Sequence, residues 1–395
     1  MRQESESGAA GALRQPGRVL CVVGARPNFM KMAPLMRAFE QSDRLERPFL
    51  VHTGQHYDAA LSDQLFADLN LPTPDTNLEV GSASHAVQTA EVMRRFEPVL
   101  QDCQPSCVVV VGDVNSTLAC ALVAVKRHVP VVHVEAGLRS FDRSMPEEIN
   151  RVLTDQISEL LFTTERSAHA NLAQEGIDMA RVHFVGNVMI DSLLQHRQRA
   201  PAVEEVVGRA GASASALLGS AGYGVVTLHR PSNVDGADAL RDALIILRDV
   251  SQKLPLVWPL HPRTRANVER FGLGDLITMG RIVVLPPQGY LEMIALLANA
   301  TVVLTDSGGV QEETTALSVP CLTMRDTTER PITVEQGTNL VVGRDRDLIL
   351  TLVDEVLGSG GKRGLIPEFW DGHAADRIVE HLGRWVLNRE PALAR

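Results

Sequence analysis

The segment Ala300-Thr-Val-Val-Leu-Thr-Asp-Ser-Gly-Gly-Val-Gln-Glu-Glu313 predicts a buried strand that runs directly into a helix. Its first part, through Leu304, is apolar and rich in valine, which is typical of a strand inside a parallel sheet. The two glycines fall where the strand ends, and the residues after them can form a helix. A strand, a tight turn and a helix form the repeating unit of a doubly wound α/β fold.

The same turn has the properties of a phosphate site. Gly308 and Gly309 let the backbone approach an anion closely, and the helix N-terminus favours negative charge by roughly 0.3–1 kcal/mol. Ser307 adds a hydroxyl donor, and Glu313 follows at a distance where a carboxylate can accept two hydrogen bonds from a ribose diol. A plain tight turn followed by acids in the first turn of a helix is the alternative. The segment alone leaves both interpretations open.

Composition limits the class of protein. The chain has 395 residues, which suggests two or three domains, and we predict two. Hydrophobic residues make up 45% and aromatic residues only 4%, which favours α/β layers over a β-sandwich. The net charge of −10 and the pI near 5.7 argue against nucleic acid or an anionic membrane as a partner, because such binding usually needs a basic face.

The cysteines and the N-terminal segment bear on location. The chain has five cysteines, without a CxxC pair: Cys21, Cys103, Cys107, Cys120 and Cys321. This pattern predicts reduced thiols in a cytoplasmic protein and, at best, a weak metal candidate at Cys103 and Cys107. No stretch approaches the ~18 apolar residues of a membrane helix. We expect residues 1–17 to form a disordered leader without a signal-peptide core.

Two series of short apolar strands alternate with stretches long enough for helices. The first series comprises residues 19–23, 48–53, 107–111, 129–134, 160–163 and 182–185, and the second comprises 224–228, 254–260, 282–285, 302–304, 320–323 and 339–342. The alternation predicts two Rossmann-like domains, 18–190 and 191–373, with a helix at about 374–390 packing back on the first. The carboxyl ends of both sheets should face a central cleft.

Cationic residues follow the first strand. Arg26 lies in the turn itself, and Lys31 lies in the helix that Pro27 begins. Both can direct positive charge into the cleft, where it would bind an anion. An ordinary surface position is the alternative for Lys31.

Acidic residues follow two other strands of the first series. Asp113 and Glu135 come after valine-rich runs, so each should pair with another group or have a function. Asp113 could instead cap the next helix, and Glu135 could pair with Arg139 or join His133 in a weak metal motif. Glu147 follows a proline, where first-turn acids are common without any catalytic role.

The second series repeats this arrangement. His229 and Arg230 follow one strand, His261 follows the next, and Arg330 comes shortly after another. Each side chain should reach the cleft from the wall opposite Asp113 and Glu135. A histidine packed at a domain interface is the alternative for His229 and for His261.

Together these motifs resemble the non-hydrolysing UDP-N-acetylglucosamine 2-epimerase family, from about Val19 to about Gly343. The resemblance is carried by Gly24-Ala-Arg-Pro with Lys31, Thr53-Gly-Gln-His56, Gly112-Asp113, His133-Val-Glu-Ala-Gly-Leu-Arg139, Pro146-Glu-Glu148 with Asn150-Arg151, His229-Arg230, Ser307-Gly-Gly-Val-Gln-Glu-Glu313 and Thr327-Thr-Glu-Arg-Pro331. So many matches in order are highly specific. The family's fold resembles that of the two-Rossmann glycosyltransferases (GT-B-like), in agreement with the strand pattern.

The resemblance implies roles for individual residues. The catalytic residues would be Asp113, Glu135, Glu147 and His229. The UDP-sugar would be bound by Arg26, Lys31, Gln288, Met293, Ser307, Gly308, Gly309, Glu313 and Arg330. Within that set, uracil would lie near Gln288 and Met293. Some members bind a second UDP-sugar as an activator, and the candidates for that site are Gln55, His56, Arg230 and His261.

The resemblance also implies a reaction. The chain would epimerise UDP-N-acetylglucosamine reversibly at C2, through elimination of UDP and its re-addition to 2-acetamidoglucal, and would supply precursors for surface polysaccharide. It would need no cofactor and no metal, and it would act as a homodimer. Four alternatives stay open: a glycosyltransferase of the same fold, a hydrolysing epimerase, a 2-epimerase for a modified UDP-sugar, and a nucleotide-sugar-binding regulator without turnover.

Overall fold

The described part of the chain forms two parallel β-sheets, each covered by helices. The computed structural model describes residues 17–55, 65–209, 211 and 222–393, with side chains through residue 389. Residues 1–16 of the expected leader therefore lie outside the described residues, and so does His56, a candidate for the activator site.

The first sheet has seven strands in the order β3-β2-β1-β4-β5-β6-β7. Its strands are β1 (Val19–Val23), β2 (Phe49–His52), β3 (Thr76–Asn77), β4 (Cys107–Val111), β5 (Val131–Ala136), β6 (Leu160–Thr163) and β7 (Val182–Phe184). Its helices are α1 (Arg26–Glu40), α2 (His85–Cys103), α3 (Asn115–Lys126), α4 (Pro146–Ile157), α5 (Ser167–Gln174) and α6 (Val188–Arg197), with a 3-10 turn at Met179–Arg181.

The second sheet has six strands in the order β10-β9-β8-β11-β12-β13. Its strands are β8 (Gly224–Thr227), β9 (Leu256–Pro259), β10 (Ile282–Leu285), β11 (Val302–Thr305), β12 (Cys321–Thr323) and β13 (Asn339–Val341). The helices after α6 are α7 (Val203–Gly208), α8 (Pro231–Val234), α9 (Ala237–Lys253), α10 (Pro262–Arg270), α11 (Gly274–Thr278), α12 (Tyr290–Ala298), α13 (Gly308–Leu317), α14 (Pro331–Glu335), α15 (Arg346–Ser359) and α16 (Ala374–Leu393).

The predicted fold class is confirmed. Central strands such as β1 and β4 are buried along their whole length, because helices cover both faces of the sheet. That burial explains why these strands are continuous apolar runs in the sequence. The edge strand β3 has only two residues, both polar, and for that reason the apolar pattern did not predict it. In the described part of the chain, no helix is long and apolar enough to cross a membrane.

The two halves meet at helices α6 and α16. Helix α16 packs on α1 and α6, and its Ile378 and Leu382 belong to the same buried cluster as residues of β1. Helix α6 also contacts α12 and α13 of the second half. The division of the chain between residues 190 and 191 stays a prediction, since α6 packs on both halves.

Asp191 holds the N-terminus of α16 against α6. Its carboxylate accepts hydrogen bonds from the backbone N–H of Ala374 at 3.1 Å and of Ala375 at 2.7 Å, and the residue is only 2% exposed. Asp191→Ala is expected to lower the free energy of unfolding by about 2–4 kcal/mol, because two buried donors lose their partner. Urea denaturation measures this loss. The exposed Asp376→Ala on the same helix should cost less than about 0.5 kcal/mol, and an equal loss in both variants would contradict the assignment.

Candidate active site

A β-bulge at the end of β5 places Glu135. The pairing of β5 with β6 shifts register between Val134 and Ala136, and Glu135 adopts a left-handed backbone conformation with φ of +76°. Such a conformation costs of order 1–3 kcal/mol for a residue with a side chain, and it persists only where the surroundings hold it. Glu135 is 4% exposed, so the bulge presents a buried carboxylate at the carboxyl edge of the first sheet.

Two cations hold the Glu135 carboxylate. The Lys31 ammonium lies 2.6 Å from Oε1, and Arg330, which comes from the second half, donates from Nη2 to the same oxygen at 3.0 Å. Gly112 makes room for Lys31, because a Cβ at this position would lie 2.8 Å from Nζ. Lys31 is 5% exposed, so the surface alternative for it is wrong.

The other partners suggested for Glu135 are engaged elsewhere. Arg139 lies 2.7 Å from Asp155 and 2.7 Å from Glu175. The ring nitrogens of His133 contact Asp155 Oδ1 at 2.6 Å and the Gly112 carbonyl at 2.8 Å. The suggested pairing of Glu135 with Arg139 and its sharing of a metal with His133 are therefore both wrong.

Asp113 lies on the same edge, paired with Arg151 of α4. Burial would raise the pKa of Asp113, but the charges of Arg151 and Lys31 outweigh burial and hold that pKa well below its usual range. The carboxyl is therefore ionised at neutral pH. Asp113 does not cap α3, since Val114 occupies the N-cap position and makes no side-chain cap bond. The capping alternative is wrong.

The two glutamates at the start of α4 differ in their surroundings. Glu148 is 2% exposed and accepts hydrogen bonds from the backbone N–H of Ser140 and of Phe141, both at 2.9 Å, and from Arg151 at 2.6 Å. Its role is to anchor the loop between β5 and α4. Glu147 is half-buried, which leaves its carboxyl the more accessible of the two.

In the second half, Asp306 holds His229. The Asp306 carboxylate accepts the backbone N–H of His229 at 3.0 Å and of Arg230 at 2.9 Å, and it lies 3.1 Å from His229 Nδ1. Burial would raise the pKa of Asp306, but its contacts with His229 outweigh burial and lower it. The His229 side chain is 39% exposed, so it is not packed into an interface. Asp306 directly follows β11, yet it was not among the predicted site residues.

Helix α13 begins at the candidate phosphate site. Ser307 is its N-cap residue and makes no cap hydrogen bond with its side chain, and Gly308 and Gly309 form the first turn. A Cβ at Gly308 would lie 2.5 Å from Glu329 Oε1, so the glycine makes room for the Glu329 carboxylate. Glu329 is paired with Arg325 at 2.7 Å and lies 3.6 Å from Arg230.

The residues proposed for the nucleoside lie on both halves. Arg26 is exposed, and its guanidinium approaches the Gln288 carbonyl at 3.5 Å, so it links α1 to the loop before α12. The Gln288 amide donates to the Pro286 carbonyl at 2.7 Å. Met293 is half-buried on α12 and packs against a buried cluster of the second half. Glu313 is 6% exposed in the middle of α13.

The candidate activator residues fall into two groups. Arg230 and His261 lie near His229, whose ring centroid is 5.5 Å from that of His261. Gln55 lies on the first half, where its amide oxygen accepts the backbone N–H of Ser116 at 3.1 Å and the Ser116 hydroxyl at 2.7 Å. Gln55 therefore has a structural role, and a role in binding an activator stays a prediction.

Burial of Glu313 predicts a pH-dependent stability. Burial, reinforced by Glu312 and opposed by Arg26, raises the pKa of Glu313 to about 8 from the ordinary value of 4.5. The folded protein thus keeps a proton that the unfolded chain releases, and stability falls as pH rises between these two values. Relative to the wild type, Glu313→Gln should gain roughly 4 kcal/mol in unfolding free energy from about pH 5 to about pH 8.5.

Urea denaturation of the variant and of the wild type at the two pH values measures this difference. Any change in stability from the amide that does not depend on pH cancels in the comparison. The exposed Glu355→Gln, on α15, serves as the control. Curves for Glu313→Gln that stay parallel to those of the wild type would contradict the assigned pKa.

Comparison with known proteins gives a consistent result. A family model described as UDP-N-acetylglucosamine 2-epimerase matches residues 37–383. The UDP-N-acetylglucosamine 2-epimerase of Methanocaldococcus jannaschii is 41% identical over 365 residues, which are 91% of this chain and 97% of that protein. The UDP-2,3-diacetamido-2,3-dideoxy-D-glucuronate 2-epimerase of Pseudomonas aeruginosa is 41% identical over 374 residues, 93% of this chain and 99% of that protein.

A solved structure agrees with these relatives. The crystal structure of Methanocaldococcus jannaschii UDP-GlcNAc 2-epimerase in complex with UDP-GlcNAc and UDP superimposes with a TM-score of 0.82 at 40% identity. The match covers 93% of this chain and 99% of that one.

Proposed function

Because the chain belongs to the UDP-N-acetylglucosamine 2-epimerase family, we propose that it interconverts UDP-N-acetylglucosamine and UDP-N-acetylmannosamine by inversion at C2. The observation that carries this proposal is the Glu135 carboxylate, buried between Lys31 and Arg330 where the two halves meet. A carboxylate held beside fixed cations can take a proton from carbon while the cations stabilise a departing anion.

The nucleotide would bind to the second half. The diphosphate would lie at the N-terminus of α13, on Ser307, Gly308 and Gly309, where backbone N–H groups and the helix dipole favour an anion. Glu313 would accept the ribose hydroxyls, and uracil would lie beside Gln288 and Met293, with Arg26 closing over the nucleotide from the first half. The contact between Arg26 and the Gln288 carbonyl supports that placement of Arg26.

The chemistry would be an elimination followed by an addition. A carboxylate takes the proton from C2, the electron pair of that bond forms the C1–C2 double bond, and the anomeric C–O bond breaks with its electron pair going to UDP. Arg330 and His229 stabilise the departing UDP. For return by the other face, a carboxyl group protonates C2 and the UDP oxygen re-forms its bond to C1. Asp113, Glu135 and Glu147 are the groups proposed to handle these protons.

Exposed apolar side chains on α4 support the proposal that the protein is a homodimer. Ile149 and Leu153 are 40% and 45% exposed and lie one turn apart, so they share a face, and Phe141 in the preceding loop is 75% exposed. Light scattering should give twice the chain mass of 43.0 kDa. Leu153→Glu should shift that mass toward the monomer, and a wild-type monomer would contradict the proposal.

A cytoplasmic location and a role in surface polysaccharide complete the proposal. All five cysteines are free and buried, which suits a reducing compartment. The product is an activated amino sugar, so a glycosyl transfer reaction can consume it.

A second candidate substrate is a 2,3-diacetamido uronate linked to UDP. The Pseudomonas aeruginosa relative is named for this sugar, and its identity to this chain equals that of the Methanocaldococcus jannaschii enzyme. Proton NMR of the anomeric signals should distinguish the two substrates. Equilibration of UDP-N-acetylglucosamine without any acceptor supports the proposed function. Turnover of the diacetamido uronate alone would favour the second candidate, and release of free sugar would indicate hydrolysis.

A further inference from the structure

Glu312 is a buried carboxylate that the proposed mechanism does not use. It lies on α13, is 1% exposed, and is 2.7 Å from Arg330 Nε. The same oxygen accepts a hydrogen bond from Asn187 Nδ2 at 3.0 Å. Asn187 is itself fully buried, and its Oδ1 accepts the backbone N–H of Met189 at 2.9 Å at the start of α6. Glu312 is therefore fixed by a rigid helix end on one side and contacts Arg330 on the other.

The three nitrogens of Arg330 have different surroundings. Nε lies 2.7 Å from Glu312 Oε1 in an ion pair without hydrogen-bond geometry, Nη2 donates to Glu135 Oε1 at 3.0 Å, and Nη1 is buried and has no hydrogen-bond partner within the described residues. A buried guanidinium donor without a partner is costly and is suited to an anionic ligand. Because Glu312 lies one turn from the N-terminus of α13, Arg330 stands beside the proposed diphosphate site.

We propose that Glu312 is a positioning residue that orients Arg330 so that Nη1 binds the β-phosphate of the leaving UDP. This inference rests on the proposed function for the identity of the leaving group. Glu312 touches neither phosphate nor sugar; it fixes the direction of a guanidinium that would otherwise have several rotamers.

The charges around Glu312 are consistent with this role. Arg330, Lys31, Glu135 and Glu313 are the charged groups that face it. Burial raises the pKa of Glu312, and the charge of Arg330 opposes that rise. Burial would lower the pKa of Arg330, but the carboxylates of Glu312 and Glu135 outweigh it and raise that pKa, so Arg330 stays cationic.

The consequence should be found in catalysis more than in substrate binding. As the anomeric bond breaks, negative charge grows on the β-phosphate, so an oriented Nη1 stabilises the transition state more than the bound substrate. Glu312→Ala should lower kcat by at least about 30-fold and raise KM by less than about tenfold. Glu312→Gln keeps an oxygen that can accept from Arg330 and Asn187, and it should recover part of kcat.

The experiment compares UDP with UMP by calorimetry, beside the kinetics of both variants. The dissociation constant of UMP divided by that of UDP measures what the β-phosphate adds to binding. This measurement requires no turnover. Glu312→Ala should reduce this ratio by at least about fivefold, and a purely structural role would weaken UDP and UMP equally. Thr315→Val on the same helix is the control that should leave the ratio and kcat unchanged, because the buried Thr315 hydroxyl has no hydrogen-bond partner among the described residues.

The outcomes separate this inference from the proposed function. A wild-type protein without turnover would refute the proposed function, while the UDP-to-UMP ratio would still test Glu312. A ratio unchanged in Glu312→Ala would overturn the positioning role. Thermal melting shows whether Glu312→Ala folds. If it does not fold, the same ratio is measured in Glu312→Gln, and an unchanged ratio with an unchanged kcat in that variant would overturn the inference.

Discussion

Glu135→Gln is expected to lower kcat by about 10³-fold or more, while UDP affinity changes by less than about tenfold. The amide has nearly the shape of the carboxylate, and it can still accept a hydrogen bond from Lys31 and from Arg330. It cannot take a proton from carbon, so the step that breaks the C2–H bond loses its base. Because most of the proposed nucleotide contacts lie on the second half, UDP binding should persist.

Steady-state kinetics and calorimetry with UDP check this expectation. The partly exposed Glu159→Gln, in the same half of the molecule, is the control and should keep full activity. Turnover of Glu135→Gln close to that of the wild type would remove Glu135 from the mechanism. A variant that loses UDP binding as well would indicate that Glu135 supports the site without acting on the sugar.

Arg330→Ala is expected to lower kcat by about 10²–10³-fold and to weaken UDP as well. Arg330 is 5% exposed. Among the described residues of the site, it is the one that pairs with both Glu135 and Glu312. Its loss removes a cation from the leaving group, and it also leaves two buried carboxylates with Lys31 as their main compensation. Both effects act in the same direction on catalysis.

Arg330→Lys separates these two effects. Lysine keeps the charge but cannot contact Glu312, Glu135 and a phosphate together, so its kcat should lie between those of the wild type and Arg330→Ala. The half-exposed Arg346→Ala is the control. Full activity in Arg330→Ala with an unchanged UDP affinity would exclude Arg330 from the site.

The fold was predictable because its signal is local. β4 and β11 are continuous apolar runs, and each is followed by a turn and a helix, so periodicity alone indicates a parallel sheet. The placement of Asp113 and Glu135 at one edge follows from the same rule, since Asp113 follows β4 and Glu135 lies at the carboxyl end of β5. The short polar strand β3 escaped prediction, because two residues carry no periodic pattern.

The pairing of charges could not be predicted from the sequence. Arg330 meets Glu135 across 195 positions of the chain, and that contact depends on how the two halves pack on α6. Arg139 is nearer to Glu135 in sequence, yet it pairs with Asp155 and Glu175. The bulge that turns Glu135 toward Lys31 has no signature in the residues around it. Asp306 could have been predicted as a site residue, because it follows a strand just as Asp113 does.

The most direct test of the proposed epimerisation is proton NMR of the purified protein with UDP-N-acetylglucosamine in D2O. If a carboxylate removes the C2 proton and C2 is reprotonated on the other face, the signal of H2 should decline as UDP-N-acetylmannosamine appears, with deuterium at C2 in both sugars. Formation of UDP-N-acetylmannosamine with its C2 proton fully retained, or an unchanged spectrum at high enzyme concentration, would contradict the account.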